Sequence, residues 1–408
     1  MKVETPQILW HNEENKNAPI LSISLLESGV SDDNLLKLGT VLATAGNNEI
    51  HLWKVSFCAN QRPSSSSSPS SSSPNILQAN HATKIEHLAT LTRHDNAVNA
   101  VRFSPDGLHL ASGGDSGSVV IYSVPPTKRG NHNGRHYWST VTQEKDLSCK
   151  VIPCDQVYDM DWSSDSKRLV VGRLDHTVLV LEDTNYETNR KADANHKPQL
   201  ESQWTCVYRN GRDHSHYVQG VAYDPKGVYV ATMSCDRTVR VFGRKTKSKK
   251  KATSSPQQWL TESKLEFSKG KQIKYRVLPV TEDGAKPKKL HLFAEESTSE
   301  SFFRRLRFTA DGAFLVTPTA IWHSDEQERP SMATCLFARH KYDQPAKVLL
   351  GMDKVRPNSR PYFVNLLLLT HVASPLEWCV LVPSGSTCPT LVPADGTWDC
   401  HTDPSLPC

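Results

Sequence analysis

No Cys-x-x-Cys pair occurs among the ten cysteines of this 408-residue chain, and the nearest two, Cys149 and Cys154, lack metal-ligand spacing. The count is also too sparse for a disulfide scaffold, so reduced thiols in an intracellular compartment are the expectation. Long apolar runs are missing as well. The longest leucine run, at 366–369, is far below the roughly 20 residues that a membrane helix needs. Met1-Lys2-Val3-Glu4-Thr5 begins no apolar signal segment. Neither secretion nor membrane insertion is expected. The chain has no G-x-S-x-G elbow, no H-E-x-x-H, no phosphate-cradling G-x-x-x-x-G-K-[ST] and no EF-hand loop. With 17 His and 43 acidic residues, accidental pairs abound, so an enzymatic reading needs a constellation, and none is found. No catalytic residue, cofactor site or metal site is assigned, and the protein is expected not to be an enzyme.

What is present is a repeat. Hydrophobic residues make up 37% of the chain and charged residues 22%, enough for a core, while 25 Pro and 20 Gly imply many turns. The clearest unit runs His94-Asp95-Asn96-Ala97-Val98-Asn99-Ala100-Val101-Arg102-Phe103-Ser104-Pro105-Asp106-Gly107, then Leu110-Ala111-Ser112, then Val119-Val120-Ile121-Tyr122. A second has Val157 to Ser163, Leu169-Val170-Val171, Asp175-His176-Thr177 and Val178 to Leu181. A third starts at His214 and carries Tyr217 to Gly227, Val230-Ala231-Thr232, Asp236-Arg237-Thr238 and Val239 to Phe242. A looser copy precedes them, with Ile50-His51-Leu52-Trp53 as its last strand, and a partial one follows, Phe302 to Gly312 and Phe314 to Pro318. Each reads as strand, turn, strand, turn, strand.

Trp53, Tyr122, Leu181 and Phe242 close successive copies, and Phe103, Trp162, Tyr223 and Phe308 occupy one equivalent position. The spacings exceed the roughly 40–45 residues of a compact WD40 unit, so the excess is assigned to mobile loops: a Ser/Pro-rich insert at 60–80, a polar one at 184–198 and a Lys-rich one at 244–256. A lone sheet of this kind cannot cover both faces, whereas several stacked about an axis can. The expectation is an all-β WD40 β-propeller with about five recognisable blades over residues 1–340. His94, Asp115, Asp175, His214 and Asp236 recur with the repeat and are read as a buried structural network of hydrogen bonds.

Several blocks carry a family resemblance: Ile8-Leu9-Trp10-His11, Ala97 to Pro105, Tyr217-Val218-Gln219-Gly220-Val221, Ser234-Cys235-Asp236-Arg237 and Ser301-Phe302-Phe303-Arg304-Arg305-Leu306. Together they resemble the WD-repeat histone chaperones, of the kind formed by the WD-repeat subunit of chromatin assembly factor 1 and the related HIRA-type proteins. The resemblance extends over about residues 1–350. It implies a seven-bladed propeller in the nucleus, a scaffold without catalysis that works with a large and a small partner subunit. The implied task is to deposit core histones three and four onto newly replicated DNA.

Two departures stand out. Family members continue through a sixth and seventh blade, and into a tail whose short basic motif serves the anti-silencing histone chaperone; neither is found here. Residues 341–408, rich in Pro and Cys and without Lys or Arg from 361 onward, are therefore expected to be foreign to the family. The segment 3–10, which in the family closes the ring, is expected to lack its partner.

Arg244, Lys245, Lys247, Lys249, Lys250 and Lys251 form a basic run without an acid, read as a nuclear localisation signal or a phosphate-contacting patch, against a solvated loop between blades four and five. Residues 1–360 carry an excess of nine basic over acidic side chains. That excess fits a nucleic-acid-rich environment, but direct DNA binding is not expected to be the main role. Arg304 and Arg305 follow two aromatics in what is read as a first strand, so they face opposite ways. One is an interface anchor, or both bond loop carbonyls. Tyr217 and Gln219 stand at the entry to blade four, as partner contacts or as ordinary packing. A competing function, substrate receptor for a ubiquitin ligase, lacks the Trp-Asp-x-Arg blade ends that such receptors often carry.

Overall fold

Four turns of one pattern organise the sheets. In Ser104-Pro105-Asp106-Gly107, Ser163-Ser164-Asp165-Ser166, Asp224-Pro225-Lys226-Gly227 and Thr309-Ala310-Asp311-Gly312, the fourth N–H donates to the first carbonyl at 2.8–2.9 Å. The first N–H donates to the carbonyl five residues on at 2.9 Å. The fourth residue is left-handed, with φ of 72°, 58°, 69° and 66°, a conformation that costs L-residues about 1–2 kcal/mol and glycine nothing. Where the third residue is Asp, its carboxylate accepts from the first hydroxyl, as in Ser104 Oγ to Asp106 Oδ1 at 2.6 Å. Ser166 holds the glycine position without being glycine, which is why composition marks that turn only as polar.

The structure is a computed structural model, in which residues 12–13, 16–17, 19–26, 40–57, 83–125, 135–189, 200–245, 265–277, 289–297, 302–323, 331–350 and 391–393 are described. The chain divides into two compact units, Met1–Val157 with Asp183–Trp204, and Tyr158–Glu182 with Thr205–Cys408. The first holds a short hairpin, β1 (Asn12–Glu13) and β2 (Lys16–Asn17). It also holds a four-stranded meander of β3 (Ser22–Leu26), β4 (Thr40–Ala45), β5 (Ile50–Phe57) and β6 (Thr83–Leu91). A second meander follows: β7 (Ala100–Phe103), β8 (His109–Gly113), β9 (Ser118–Ser123) and, after helix α1 (Arg135–Trp138), β10 (Ser148–Pro153).

Around the second unit the pattern continues with β11 (Val157–Trp162), β12 (Arg168–Arg173), β13 (Val178–Asp183) and β14 (Trp204–Asn210). Then come β15 (Val218–Tyr223), β16 (Tyr229–Ser234), β17 (Thr238–Gly243) and β18 (Lys271–Ile273). A two-stranded ribbon, β19 (Tyr275–Val277) with β20 (Lys289–His291), leads to the last sheet: β21 (Arg307–Phe308), β22 (Phe314–Trp322), β23 (Ser331–Ala338), β24 (Lys347–Leu350) and β25 (Leu391–Pro393). Among the described residues there are thus five antiparallel sheets of four or five strands, as the repeat implies.

The register bears out the equivalences. Trp53, Tyr122, Leu181 and Phe242 all lie on third strands, opposite Leu42, Leu110, Leu169 and Val230. Their burial, with Ile50, Leu52, Leu91 and Trp138 in one unit and Phe293, Phe308 and Phe337 in the other, makes the cores. Helix α1 escaped the sequence reading, since four residues give no periodicity; Trp138 is fully buried and its indole N–H donates to the Gly107 carbonyl at 2.7 Å.

Three differences from the sequence reading are clear. The segment 302–306 is not part of a strand; pairing begins at Arg307. The last sheet runs past residue 340, because Lys347–Leu350 pairs with Ser331–Ala338 as its fourth strand and Leu391–Pro393 joins as its fifth. Of the inserts, the one at 60–80 lies outside the described residues, as do 190–198 and 246–256; segment 3–10 and nearly all of the end after 350 do too.

Gly227 isolates the cost of the turn conformation, since a Cβ there would meet nothing within 4 Å while its φ is +69°. Gly227→Ala is expected to lower stability by about 1–2 kcal/mol, read from urea unfolding; a neutral result would contradict this account of the turn.

Candidate partner-docking site

The recurring polar residues divide by geometry. His214 Nδ1 lies 2.9 Å from Asp236 Oδ2, and its Nε2 lies 2.7 Å from the Thr232 hydroxyl. Asp236 Oδ1 accepts from the Thr238 hydroxyl and N–H at 2.6 and 3.0 Å, and Oδ2 from the Ser215 N–H at 3.2 Å. Burial alone raises the Asp236 carboxyl, but the hydrogen bonds from His214, Thr238 and Ser215 outweigh it and hold it down at about 2. Asp175 occupies the same place in its sheet, accepting from Thr177 and pairing with Arg173, with no histidine bonded to it among the described residues.

The grouping of Asp115 with Asp236 needs correction. The left-handed turn residues Gly117, His176 and Arg237 are equivalent, with φ of 68°, 66° and 63°. The residue before each is therefore Ser116, Asp175 and Asp236. His94 accordingly bonds Ser116 and Ser112, each at 2.8 Å, and not Asp115. Asp115 instead accepts from the Asn99 amide at 2.7 Å. Deprived of a carboxylate, the His94 ring is driven down by burial to about 4, with Asp95 and Glu144 pulling weakly the other way.

The four residues singled out as partner contacts come together in the second unit. Tyr217 donates its phenol to Glu296, and the Gln219 amide donates to the Phe302 carbonyl. Gly220, the residue after Gln219, makes room: a Cβ there would sit 2.0 Å from the Arg304 carbonyl oxygen, so segment 302–306 lies against β15 only because this residue has no side chain. Arg304 is 1% exposed and donates to the Ala294 carbonyl at 2.7 Å, which is the loop-carbonyl geometry. Gln219 is buried likewise at 1%. Neither is placed to meet a partner directly. Arg305 faces the other way, its Nε 3.5 Å from the fully buried Asp159 and its guanidinium 4.2 Å above the Phe303 ring.

What reaches the surface here is aromatic, and of this cluster the sequence reading selected Tyr217 but not Phe302 or Tyr158. Tyr158 packs edge-on against Tyr217 and Phe302, with centroids 5.6 and 5.2 Å apart, and Tyr217 and Phe302 are nearly parallel at 6.3 Å. His216 abuts Tyr217 at 4.6 Å and His176 at 6.0 Å. Phe302 is 42% exposed. Burial, then the hydrogen bond to Glu296, push the Tyr217 phenol well above its usual range, so it remains a donor. The bond from Tyr217 in turn lowers the Glu296 carboxyl, with Cys235 assisting at 3.5 Å. Such a cluster suits protein contact: large rigid rings, fixed by hydrogen bonds beneath them. The signal in the sequence was a set of single aromatics at three separate strand entries, which only the fold unites. Of the basic run, Arg244 and Lys245 are exposed, Lys245 3.8 Å from Glu266; Lys247, Lys249, Lys250 and Lys251 lie outside the described residues. Among the described residues no group of three His, Cys, Asp or Glu side chains is placed to hold a metal ion.

Comparison with known proteins bears on this arrangement. The family model of the CAF1B/HIR1 beta-propeller domain matches residues 75–360. The CAF1B subunit of chromatin assembly factor 1 from Gallus gallus is 28% identical over 359 residues, covering 85% of this chain and 49% of the relative. Chromatin assembly factor 1 subunit FAS2 homolog of Oryza sativa subsp. japonica is 30% identical over 267 residues, 65% of this chain and 44% of the relative. Protein HIR1 of Yarrowia lipolytica is 27% identical over 244 residues, 59% of this chain and 20% of the relative. The chain thus spans about half the length of the first two, or less.

The Asp236 network generates a pH test. A carboxyl held at about 2 against an ordinary 3.8 contributes stability above the higher value and loses it as pH falls through the lower. The shift corresponds to about 2 kcal/mol. Asp236→Ala is expected to cost at least about that much near neutral pH, with the penalty shrinking as pH falls from about 4 toward 2. Urea titrations of both proteins across that range check it; a pH-independent penalty would contradict the assignment.

Proposed function

The chain belongs to the CAF1B/HIR1 β-propeller family, and from that premise we propose that it is the WD-repeat scaffold of a histone chaperone complex in the nucleus, without catalysis of its own. In this reading the large subunit of a chromatin assembly factor 1 complex docks on the Tyr158, Tyr217 and Phe302 cluster. The assembly then hands core histones three and four to DNA during replication-coupled nucleosome assembly. The observation that carries the docking site is the exposed Phe302 ring, on a segment that Gly220 admits against β15, packed against Tyr158 and against Tyr217, whose phenol is held by Glu296. The charges around it are already paired inside the chain, Arg237 with Glu295 at 2.9 Å and Arg305 with Asp159. Recognition at this end therefore rests on shape and ring contact more than on charge.

Removing central aromatic anchors typically costs 2 kcal/mol or more, about 30-fold in affinity. The double variant Phe302→Ala, Tyr217→Ala is expected to lose capture of the large subunit by at least that factor in a co-expression pull-down, while circular dichroism retains the β signature. Undiminished capture by the folded variant would refute this docking site. Recovery of a cullin adaptor in place of the large subunit and core histones would favour a ubiquitin-ligase receptor instead.

A further inference from the structure

Positive charge is not spread evenly along the chain. Residues 244–289 contain fourteen Lys and Arg against four Asp and Glu, an excess of ten, whereas the whole chain has an excess of only five. Everything outside this stretch is therefore net acidic. Within it, the described residues form one distinctive surface, the ribbon β19–β20, which belongs to none of the five sheets.

An isolated two-stranded ribbon is marginal in water, and this one is pinned on a single face. Arg276 places its guanidinium 3.6 Å from the Trp322 ring centroid and donates to the His323 carbonyl. The Leu292 N–H donates to the Lys274 carbonyl at 3.0 Å, and the Ile321 N–H to the Leu292 carbonyl at 2.7 Å. Alternation then dictates what the other face shows. Tyr275 stands opposite His291, and Val277 opposite Lys289, in the antiparallel register. Tyr275 is 38% exposed and Val277 42%. The Tyr275 and His291 rings are 4.7 Å apart, and the Lys274 ammonium lies 5.3 Å from the Tyr275 centroid. Neither Lys274 nor Lys289 pairs with a carboxylate among the described residues, and the ribbon's own described residues include no acid. Burial, then the positive charges of Arg237 and Lys274, lower the His291 imidazole, against a weaker pull from Glu295.

We propose that the free face of this ribbon binds single-stranded nucleic acid, Lys289 on that face and Lys274, whose ammonium lies beside the Tyr275 ring, meeting phosphates, and the Tyr275–His291 ring pair stacking on an unpaired base. Two features select this occupant. Three residues of two strands cover roughly 10 Å by 10 Å, far less than the roughly 800 Å² per partner of a stable protein interface, yet enough for one or two nucleotides. Exposed rings among cations that meet no carboxylate among the described residues are also the combination by which single strands are held without sequence preference. A duplex, whose bases are already stacked, would leave the rings unused.

The test is fluorescence anisotropy of the full chain with a labelled 30-nucleotide oligo(dT) and with a 30-base-pair duplex over a salt series. Oligo(dT) should bind more tightly than the duplex. Tyr275→Ala should weaken it about tenfold, with little effect on the duplex. The double variant Lys274→Ala, Lys289→Ala should reduce the slope of log K against log salt by about 1.4, the value for two phosphate contacts on a single strand. All substitutions are at exposed or half-exposed positions, and a matching melting temperature confirms that each variant is folded. Preference for the duplex, an unaltered slope, or binding abolished only by neutralising Arg244, Lys245, Lys247, Lys249, Lys250 and Lys251 would overturn the proposal.

Discussion

The first strand of a four-stranded meander has one edge with no strand beside it, and the backbone N–H groups on that edge need acceptors. In both units a pair of side chains, two residues apart on the first strand of another meander, supplies them. Ser22 and Ser24 accept from the N–H groups of Val101 and Phe103 at 3.1 and 2.9 Å. Asp159 and Asp161 accept from Val221 and Tyr223 at 3.1 and 2.8 Å. The two-residue spacing is what strand geometry demands for side chains on one face. A buried N–H without a partner costs about 1–3 kcal/mol, so these ties decide how one sheet follows the next within a unit.

The two solutions have unequal consequences. Serine is neutral and asks for nothing more, apart from the Arg102 guanidinium that donates to Ser22 at 2.7 Å. Aspartate brings a charge, and Asp159 is fully buried. A carboxylate in that position is tolerated only if countered, and the counter-charges come from Arg305 and Arg307, again two residues apart. Arg305 turns toward Asp159 while Arg304 turns the other way and meets the Ala294 carbonyl. Phe302, two residues before Arg304, reaches the Tyr158 and Tyr217 rings. The proposed docking surface is thus tied to how the free edge of β15 is capped.

This chain of dependence explains what could be read in advance. Strand order, turn positions and the closing residues Trp53, Tyr122, Leu181 and Phe242 are local properties of a repeat, and alignment of the copies finds them. The network residues His214 and Asp236 were legible for the same reason. Asp115 misled because the Gly113-Gly114-Asp115-Ser116-Gly117 turn has its acid one position early, and a one-residue shift changes which side chain meets the histidine. Tyr217 with Gln219, and Arg304 with Arg305, were legible as two separate pairs, but which of them face solvent depended on Gly220, Asp159 and Ala294, contacts that only the fold brings in. Tyr158 and Glu296 carried no pattern, since each is one aromatic or one acid among many.

The ribbon shows the converse case, in which composition speaks and periodicity does not. Its strands have three residues each, too short for an alternation signal, and the loop-like basicity of the surrounding stretch obscures them. Only once Arg276 is seen against Trp322 does the alternation become a statement about two faces, one committed and one free. The separation between the two surfaces then has a physical basis. At the aromatic end every nearby guanidinium described is already engaged by a carboxylate or carbonyl, so a partner there finds shape. On the ribbon the lysines lack such partners among the described residues, so a polyanion there finds charge. In the proposed roles, with a folded subunit at one surface and nucleic acid at the other, an unpaired cation beside the aromatic cluster would attract the wrong ligand to the right surface.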